Sequence, residues 1–419
     1  MILENEEEIY KRNYNSSKVL FRVSFALGVN LTAPSKAKNT LKIVHVILIV
    51  SSILSLYAHW CYLMRHFDSI PLIAEAVFTA LQILMAAIKL IYFFFTHRTF
   101  YRLLDQTLTH EIIRKIEILQ QDFPINRQLK KEIDDIMNAV WRNIRRIFLF
   151  YFFCCVGIIA NYFFTALFQN LYHHLKQTPN YEFILPVPAL YPFWEKKGMA
   201  FPYYHLQMYM TGSALYVSGL GAVSFEGVFM VLCQHAVGLV KVHNLLVLRA
   251  TSAQIPVERR LEYLRYTIFT YQRINKYMQE IQTIFRHISL SQFLLSLIVL
   301  GFVLFEINYG LQIFKGSNII IFIRLIMYIS ASITQITIYC YHGQALTTVN
   351  EKIPLAYYNC NWYGENKTFK QLIMMMIMRT NKEFYLEVSW FTLMNLATLI
   401  SLIRASVSYY LLLQNFQEN

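Results

Sequence analysis

Residues 287–313 read HISLSQFLLSLIVLGFVLFEINYGLQI, a run that holds one carboxylate, Glu306, and neither Lys nor Arg. A hydrocarbon layer about 30 Å thick takes roughly 20 helical residues to cross. Inside lipid every backbone amide needs an internal partner, so a single run of this kind crosses as a helix. Working outward, six further stretches have the same character, at 42–64, 70–96, 146–169, 204–235, 317–347 and 388–414. The whole chain agrees: of 419 residues, 56% are hydrophobic and 15% are charged. Soluble domains carry about 25% charged residues, and two or three of them would be expected at this length. Charge this sparse cannot cover their surfaces. The expected fold is an all-α membrane protein with seven transmembrane helices.

Orientation follows from Lys and Arg. Thirty of the 38 fall in or beside the N-terminal segment and the loops after the second, fourth and sixth spans. Five (Arg65, Lys176, Lys196, Lys197, Lys315) fall on the opposite side, and Lys89, Arg324 and Arg404 lie within spans. The N-terminus is therefore expected in the cytosol and the C-terminus, after seven crossings, outside. The net charge of +13 is topological. The partner it predicts is the lipid bilayer, not nucleic acid. Three sequons, at Asn15, Asn30 and Asn366, fall on the cytosolic side and are expected to stay unmodified. Glu4 and the run Glu6-Glu7-Glu8 do not resemble a removable signal.

The remaining pieces divide the chain into four parts. Residues 1–41 form a cytosolic N-terminus in which Val19–Leu31, apolar but short and carrying Arg22, is expected to be interfacial or re-entrant. Residues 42–349 hold the first six spans. Residues 350–387 form a cytosolic anchor segment, and 388–419 hold the seventh span and the extracellular end. The loops 97–145 and 236–286 place apolar residues such as Ile112, Ile113, Ile116 and Leu119 at helical spacing. Spans two, four and five are thus expected to continue as cytosolic helical extensions, either as an intersubunit anchor layer or simply as longer helices. Outside, residues 170–203 are rich in aromatics and Pro, which fits either a lid over a pocket or an interfacial aromatic belt.

Several function classes drop out. Twelve His include no His-Glu-x-x-His pair, and six Cys show no zinc or disulfide spacing. No enzyme activity, cofactor or metal is expected. No Asp-Arg-Tyr follows the third span and no Asn-Pro-x-x-Tyr lies in the seventh, which together with a cytosolic N-terminus disfavours a G-protein-coupled receptor. A transporter would show internal repeats or interrupted spans, and neither is present. In the seventh span, Thr398, Ser401, Ala405, Ser408, Leu412 and Asn415 form one helical stripe. A small, polar stripe either lines water, with Leu412 as a hydrophobic constriction, or serves close helix packing.

The C-terminal residues carry a resemblance. Tyr339-Cys340-Tyr341-His342-Gly343-Gln344, Ala356-Tyr357-Tyr358-Asn359-Cys360-Asn361-Trp362-Tyr363, Leu372 to Arg379 and Arg404-Ala405-Ser406-Val407-Ser408-Tyr409-Tyr410 together resemble the signature of insect odorant receptors. Leu185 to Phe193 is similar to the family's second extracellular loop, and Ile88 to Leu104 to its second-span exit. The modest loop of 236–286, and Ser408 and Asn415 where co-receptors and gustatory receptors carry Thr and Gln, resemble a ligand-tuning subunit. Asn381-Lys382-Glu383 departs from the family's Gln-Lys-Pro-like turn.

The resemblance implies a subunit of a ligand-gated, nonselective cation channel. Four subunits, including the odorant co-receptor, would surround one pore in the plasma membrane of sensory-neuron cilia and dendrites. Its gate positions match Leu412 and Phe416, with Ser401, Ser408 and Asn415 along the pore. A small volatile organic ligand would occupy an apolar cavity with one or two polar handles. The outer halves of the spans offer Phe78, Thr79, Gln82, Gly157, Asn161, Tyr162, His205, Met208, Tyr209, Gly212, Ser213 and Tyr328, with Met208 to Ser213 the most suggestive group. A gustatory-type homotetramer is the alternative, with a G-protein receptor or a transporter behind it. Among charges within spans, Lys89 is expected to snorkel to the interface and Arg324 to pair with Glu306 or Glu75. Arg404 is expected to make an intersubunit contact.

Overall fold

The computed structural model describes residues 6–32, 39–67, 70–177, 183–197, 202–313, 319–389 and 392–418. In chain order its elements are α1 (Glu6–Ser16), α2 (Lys18–Ala26), α3 (Asn39–Arg65), α4 (Ile70–Leu108), α5 (Glu111–Arg114), α6 (Glu117–Gln120) and α7 (Asn126–Leu175). There follow α8 (Tyr203–Leu248), α9 (Val257–Ile313), α10 (Ile319–Asn350), α11 (Lys352–Tyr358), α12 (Lys367–Thr380), a hairpin of β1 (Glu387–Ser389) and β2 (Thr392–Leu393), and α13 (Leu396–Glu418). The seven apolar stretches lie in α3, α4, α7, α8, α9, α10 and α13. Helices α4, α7, α8 and α9 contain 39, 50, 46 and 57 residues. At 1.5 Å per residue they measure about 60–85 Å, two to three times a hydrocarbon layer. Spans two, four and five continue past the membrane as helices, and span three does so as well.

Helix α8 is the axis of the fold. Every residue from Gly221 to Val240 is buried. A helix apolar on all faces has to be enclosed by other helices, and α2, α3, α4, α7, α9, α10 and α11 all pack on it. Where α4, α8 and α9 meet, Phe100, Phe225, Phe229 and Phe285 interlock edge to face, with ring centroids 4.9–5.9 Å apart. Each such pair adds about 0.5–1.5 kcal/mol to its burial.

The segment 19–31 does not lie flat along the outside of the bundle. Leu20, Phe21, Val23, Leu27, Val29 and Leu31 are all buried in it. Gly28 makes the turn at a φ of +76°, where an added Cβ would meet the Leu41 carbonyl oxygen at 2.6 Å. The rings of His45 and His97 lie 2.9 and 2.5 Å from the carbonyl oxygens of Leu27 and Asn30, so α3 and α4 hold this turn by its backbone. Two of the sequons serve local structure. Asn30 accepts from the N–H and hydroxyl of Thr32, and Asn366 caps α12 by accepting from the Phe369 N–H.

The seventh span starts later than hydropathy implies. Helix α13 begins at Leu396, because Glu387–Ser389 pairs antiparallel with Thr392–Leu393. Val388 and Thr392 suit a strand. The Gln282 side chain of α9 imitates a neighbouring strand, accepting from the Glu387 N–H at 2.9 Å and donating to the Glu387 carbonyl at 3.0 Å. Asn395 then caps α13, accepting from the Thr398 N–H at 2.8 Å. Trp390 and Phe391, in the same apolar run, lie outside the described residues.

His110 and His243 are buried outside the predicted spans. Trp141 donates to Nε2 of His110, so the neutral His110 ring carries its proton on Nδ1 and donates to Nε2 of His235 at 3.2 Å. Burial, reinforced by His235, Arg12 and Arg114, holds His110 well below the usual imidazole range, and burial pushes His243 down to about 3. Unfolded histidines titrate near 6.5, so below that pH the unfolded chain binds protons that the folded chain does not. Stability is thus full above about pH 6.5 and falls as pH drops, by up to about 1.4 kcal/mol per pH unit for each histidine. The unfolding temperature of the solubilised chain should be lower at about pH 5.5 than at about pH 7.5, and His243→Gln should flatten the profile. An unchanged slope in that variant would remove His243 from the account.

Candidate functional site

A cavity lies among α4, α7, α8 and α10. Each helix presents one face to it at helical spacing. Helix α4 contributes Thr79, Gln82 and Ile83; α7 contributes Tyr151, Cys155, Ile158, Ile159 and Tyr162. Helix α8 contributes Leu215, Ser218, Gly219 and Ala222, and α10 contributes Tyr328, Ala331, Ser332 and Gln335. From the loop 183–191, Val187 reaches the same cavity and is buried between Pro186 and Pro188. Asn170 fixes this loop, accepting from the Ile184 N–H at 2.9 Å and donating to the Ile184 carbonyl at 2.7 Å. The Leu190 N–H donates to Ala58 of α3 at 3.0 Å. The loop therefore covers one end of the cavity.

A polar chain runs away from the cavity wall. Gln82 Nε2 donates to Gln335 Oε1 at 3.4 Å, and Gln335 Nε2 donates to Glu226 Oε1 at 2.9 Å. The same carboxylate oxygen forms an ion pair with Lys89 and accepts from the Tyr339 hydroxyl at 3.4 Å. A carboxylate only accepts, so it turns the Gln335 amide nitrogen toward itself and leaves the Gln335 carbonyl oxygen for Gln82. Lys89 and Glu226 are 1% and 0% exposed. The expectation that Lys89 snorkels is overturned. The register of α4 points it at α8, where its Nζ also lies 5.8 Å from the Phe225 ring centre. One turn from Gln335, the buried Ser332 hydroxyl has no hydrogen-bond partner among the described residues.

Of the residues singled out from sequence, Thr79, Gln82, Tyr162 and Tyr328 line this cavity. Phe78 stands behind it, its ring 4.7 Å from that of Tyr328. Gly157, whose added Cβ would meet Met327 at 3.7 Å, and half-buried Asn161 lie on α7 outside the lining. The α8 group, which ends two residues before the lining Leu215, does not itself line it. His205 and Tyr209 are exposed, Met208 is buried, Gly212 faces Phe163, and Ser213 bonds to Ser51 of α3. The missed signal is the small-residue run Ser218, Gly219 and Ala222, echoed by Ala331 and Ser332.

Helix α13 packs on α9 and α10. An added Cβ on Gly301 would stand 3.2 Å from that of Tyr409, and buried Ser406 turns toward α9. The opposite face carries Ser401, Arg404, Ser408 and Leu412, all exposed. Ser401 and Ser408 donate to carbonyls of their own helix, those of Ala397 and Arg404. Ser401, Ser408 and Leu412 of the stripe are thus turned away from the packing face, while Thr398 and Ala405 are half-buried. The side chains of Asn415, Phe416 and Arg324 lie outside the described residues, as does the proposed pairing of Arg324. Among the described residues no His, Cys, Asp and Glu gather as metal ligands.

Breaking a buried pair on one side costs about 3–5 kcal/mol, whereas replacing both partners with apolar side chains is often neutral. Lys89→Met and Glu226→Leu should each lower folded yield and unfolding temperature, and the double variant should recover much of the loss. A double variant no better than the singles would refute the pairing.

Comparison with known proteins places this architecture. Residues 69–407 match the family model described as 7tm Odorant receptor. The chain is 44% identical over 418 residues to Odorant receptor 63a of Drosophila melanogaster, covering 99% of both chains. It is 25% identical over 398 residues to Odorant receptor 67b of the same fly, covering 94% of this chain and 93% of that one. The insect olfactory receptor OR5 from Machilis hrabei, solved in complex with eugenol, superposes with a TM-score of 0.75 over 99% of this chain and 100% of that one, at 13% identity. That likeness shows a shared fold. With a family model spanning most of its length and a near full-length relative, this multi-pass, seven-helix chain belongs to the insect odorant receptor family.

Proposed function

We propose that this chain is the ligand-tuning subunit of an odorant-gated, nonselective cation channel, and that the cavity among α4, α7, α8 and α10 receives the odorant. The observation that carries the reading is the cavity itself. Its walls are mostly aliphatic and aromatic, it adjoins a covering loop, and it offers the unpartnered Ser332 hydroxyl and the Gln82 carboxamide. Few polar groups among many apolar ones suit a small volatile molecule, which gains by leaving water and is oriented by one hydrogen bond. OR5 was solved with eugenol, a precedent for a small organic ligand in this fold.

The pore belongs to α13. Its exposed stripe of Ser401, Ser408 and Leu412 is available to line water at a central axis, with Leu412 as a constriction that excludes ions by dewetting. Asn415 and Phe416 complete the proposed gate. Partner subunits, the co-receptor among them, would surround the axis in the plasma membrane of sensory-neuron cilia and dendrites. Exposed Met374, Met375 and Met378 on α12, with Leu355 and Tyr358 on α11, give the anchor segment an apolar face for a neighbouring subunit. Arg404, exposed on the pore helix, would make a contact between subunits, since a ring of bare cations would oppose cation flow.

Whole-cell current evoked by a panel of volatiles, with and without co-receptor, tests the function. Current that depends on both chains is expected; uptake without channel openings, or dependence on a G protein, would overturn it. Ala331→Phe, which fills the cavity, should abolish responses to the whole panel while the subunit still reaches the surface. Ser332→Ala should raise the half-maximal concentration of an oxygen-bearing ligand by about 2- to 10-fold, the worth of one hydrogen bond. Leu412→Ser should raise current in the absence of ligand; an unchanged resting conductance would count against the gate.

A further inference from the structure

A second cavity lies at the other end of α3 and α4, where the turn 28–30 meets the first turn of α3 and the last apolar turns of α4. Its volume is about 330 Å³. Lys42 and Arg98 line it, and no acidic side chain does. Among the described residues neither cation takes part in an ion pair. Their height in the membrane follows from topology. Lys42 opens the first span and Arg98 closes the second, on the side where Lys and Arg accumulate. That side faces the anionic leaflet. Beside the cations, Phe94 and Phe95 are 47% and 78% exposed, turning aromatic surface toward the surrounding acyl chains.

We propose that this cavity binds the phosphate-bearing headgroup of an anionic lipid of the cytosolic leaflet. Two cations without carboxylate partners converge on a space far larger than a single ion needs, at the depth of lipid phosphates. Lys42 supplies a point charge and Arg98 a planar fork suited to phosphate oxygens. The acyl chains leave past Phe94 and Phe95 into the bilayer. Gly28, Val29 and Asn30 line the same space, in a turn that Gly28 makes at positive φ and His97 holds by the Asn30 carbonyl. Lipid bound there would join α3, α4 and the inserted N-terminal turn, and so add to the stability of the bundle.

The test uses the full-length chain in nanodiscs of phosphatidylcholine, alone or with a phosphatidylinositol phosphate, read by unfolding temperature. Affinity is read by titrating a dioctanoyl phosphatidylinositol phosphate and, separately, the soluble inositol phosphate headgroup. The anionic lipid should raise the unfolding temperature saturably, and the soluble headgroup should bind more weakly because it lacks acyl contacts. Lys42→Gln and Arg98→Gln should each weaken lipid binding roughly fivefold, since a cation near the membrane surface contributes about 1 kcal/mol. The double variant should keep its unfolding temperature in phosphatidylcholine alone, which separates lost binding from lost folding. Equal affinity for the soluble headgroup would overturn the membrane source. Unchanged binding by the double variant, or an equal effect of added neutral lipid, would overturn the site.

Discussion

A carboxylate in the middle of the most buried helix constrains everything around it. Glu226 is fully buried in α8, and an isolated charge there would be far more costly than the fold could tolerate. It is kept because Lys89 of α4 and Gln335 and Tyr339 of α10 converge on one of its oxygens. Those contacts fix the registers of three long helices against one another, since sliding any of them by a turn would strand the charge. Once the registers are set, Gln82, Ser332 and the small face of α8 meet around one cavity. The pocket's shape is in this sense a consequence of satisfying the ion pair.

The fold keeps its tasks apart along its long axis. The cavity and its covering loop lie at one end of the spans, and the aromatic cluster of Phe100, Phe225, Phe229 and Phe285 fills the interior farther toward the cytosolic layer. Helix α13 stays at the side of the bundle, held by α9 and α10, with Ser401, Ser408 and Leu412 turned away from both. Pocket and stripe therefore do not share side chains. In the proposed channel, a signal between them passes through α10, because α10 lines the pocket and packs on α13. The hairpin before α13 is tied to α9 by Gln282, which fixes the first end of α13.

Parts of the site could be read from sequence because they depend on position along a helix. Thr79, Gln82, Tyr162 and Tyr328 were identifiable as polar or aromatic residues in spans, and they line the cavity. The group from His205 to Ser213 shows the limit. Its flexible and small residues have the composition of a pocket, yet rotation about α8 exposes Tyr209 and turns Ser213 to Ser51. Ser218 and Gly219 are equally small and lie about a turn away. Composition does not distinguish the two groups, because both satisfy the same helical period.

Hydropathy, which acts residue by residue, determined the class of the protein and where its apolar spans lie, and the placement of Lys and Arg set the expected orientation. The resemblance in the last 80 residues or so determined the family, since it rests on residue identities in order. Tertiary structure alone decided that Lys89 turns inward to Glu226, that the segment 19–31 enters the core, and that 387–389 pairs with 392–393 before α13 begins. Each of these depends on which helix faces come together. That is a matter of rotation and register between distant segments, and a hydrophobic period along one segment leaves both undetermined.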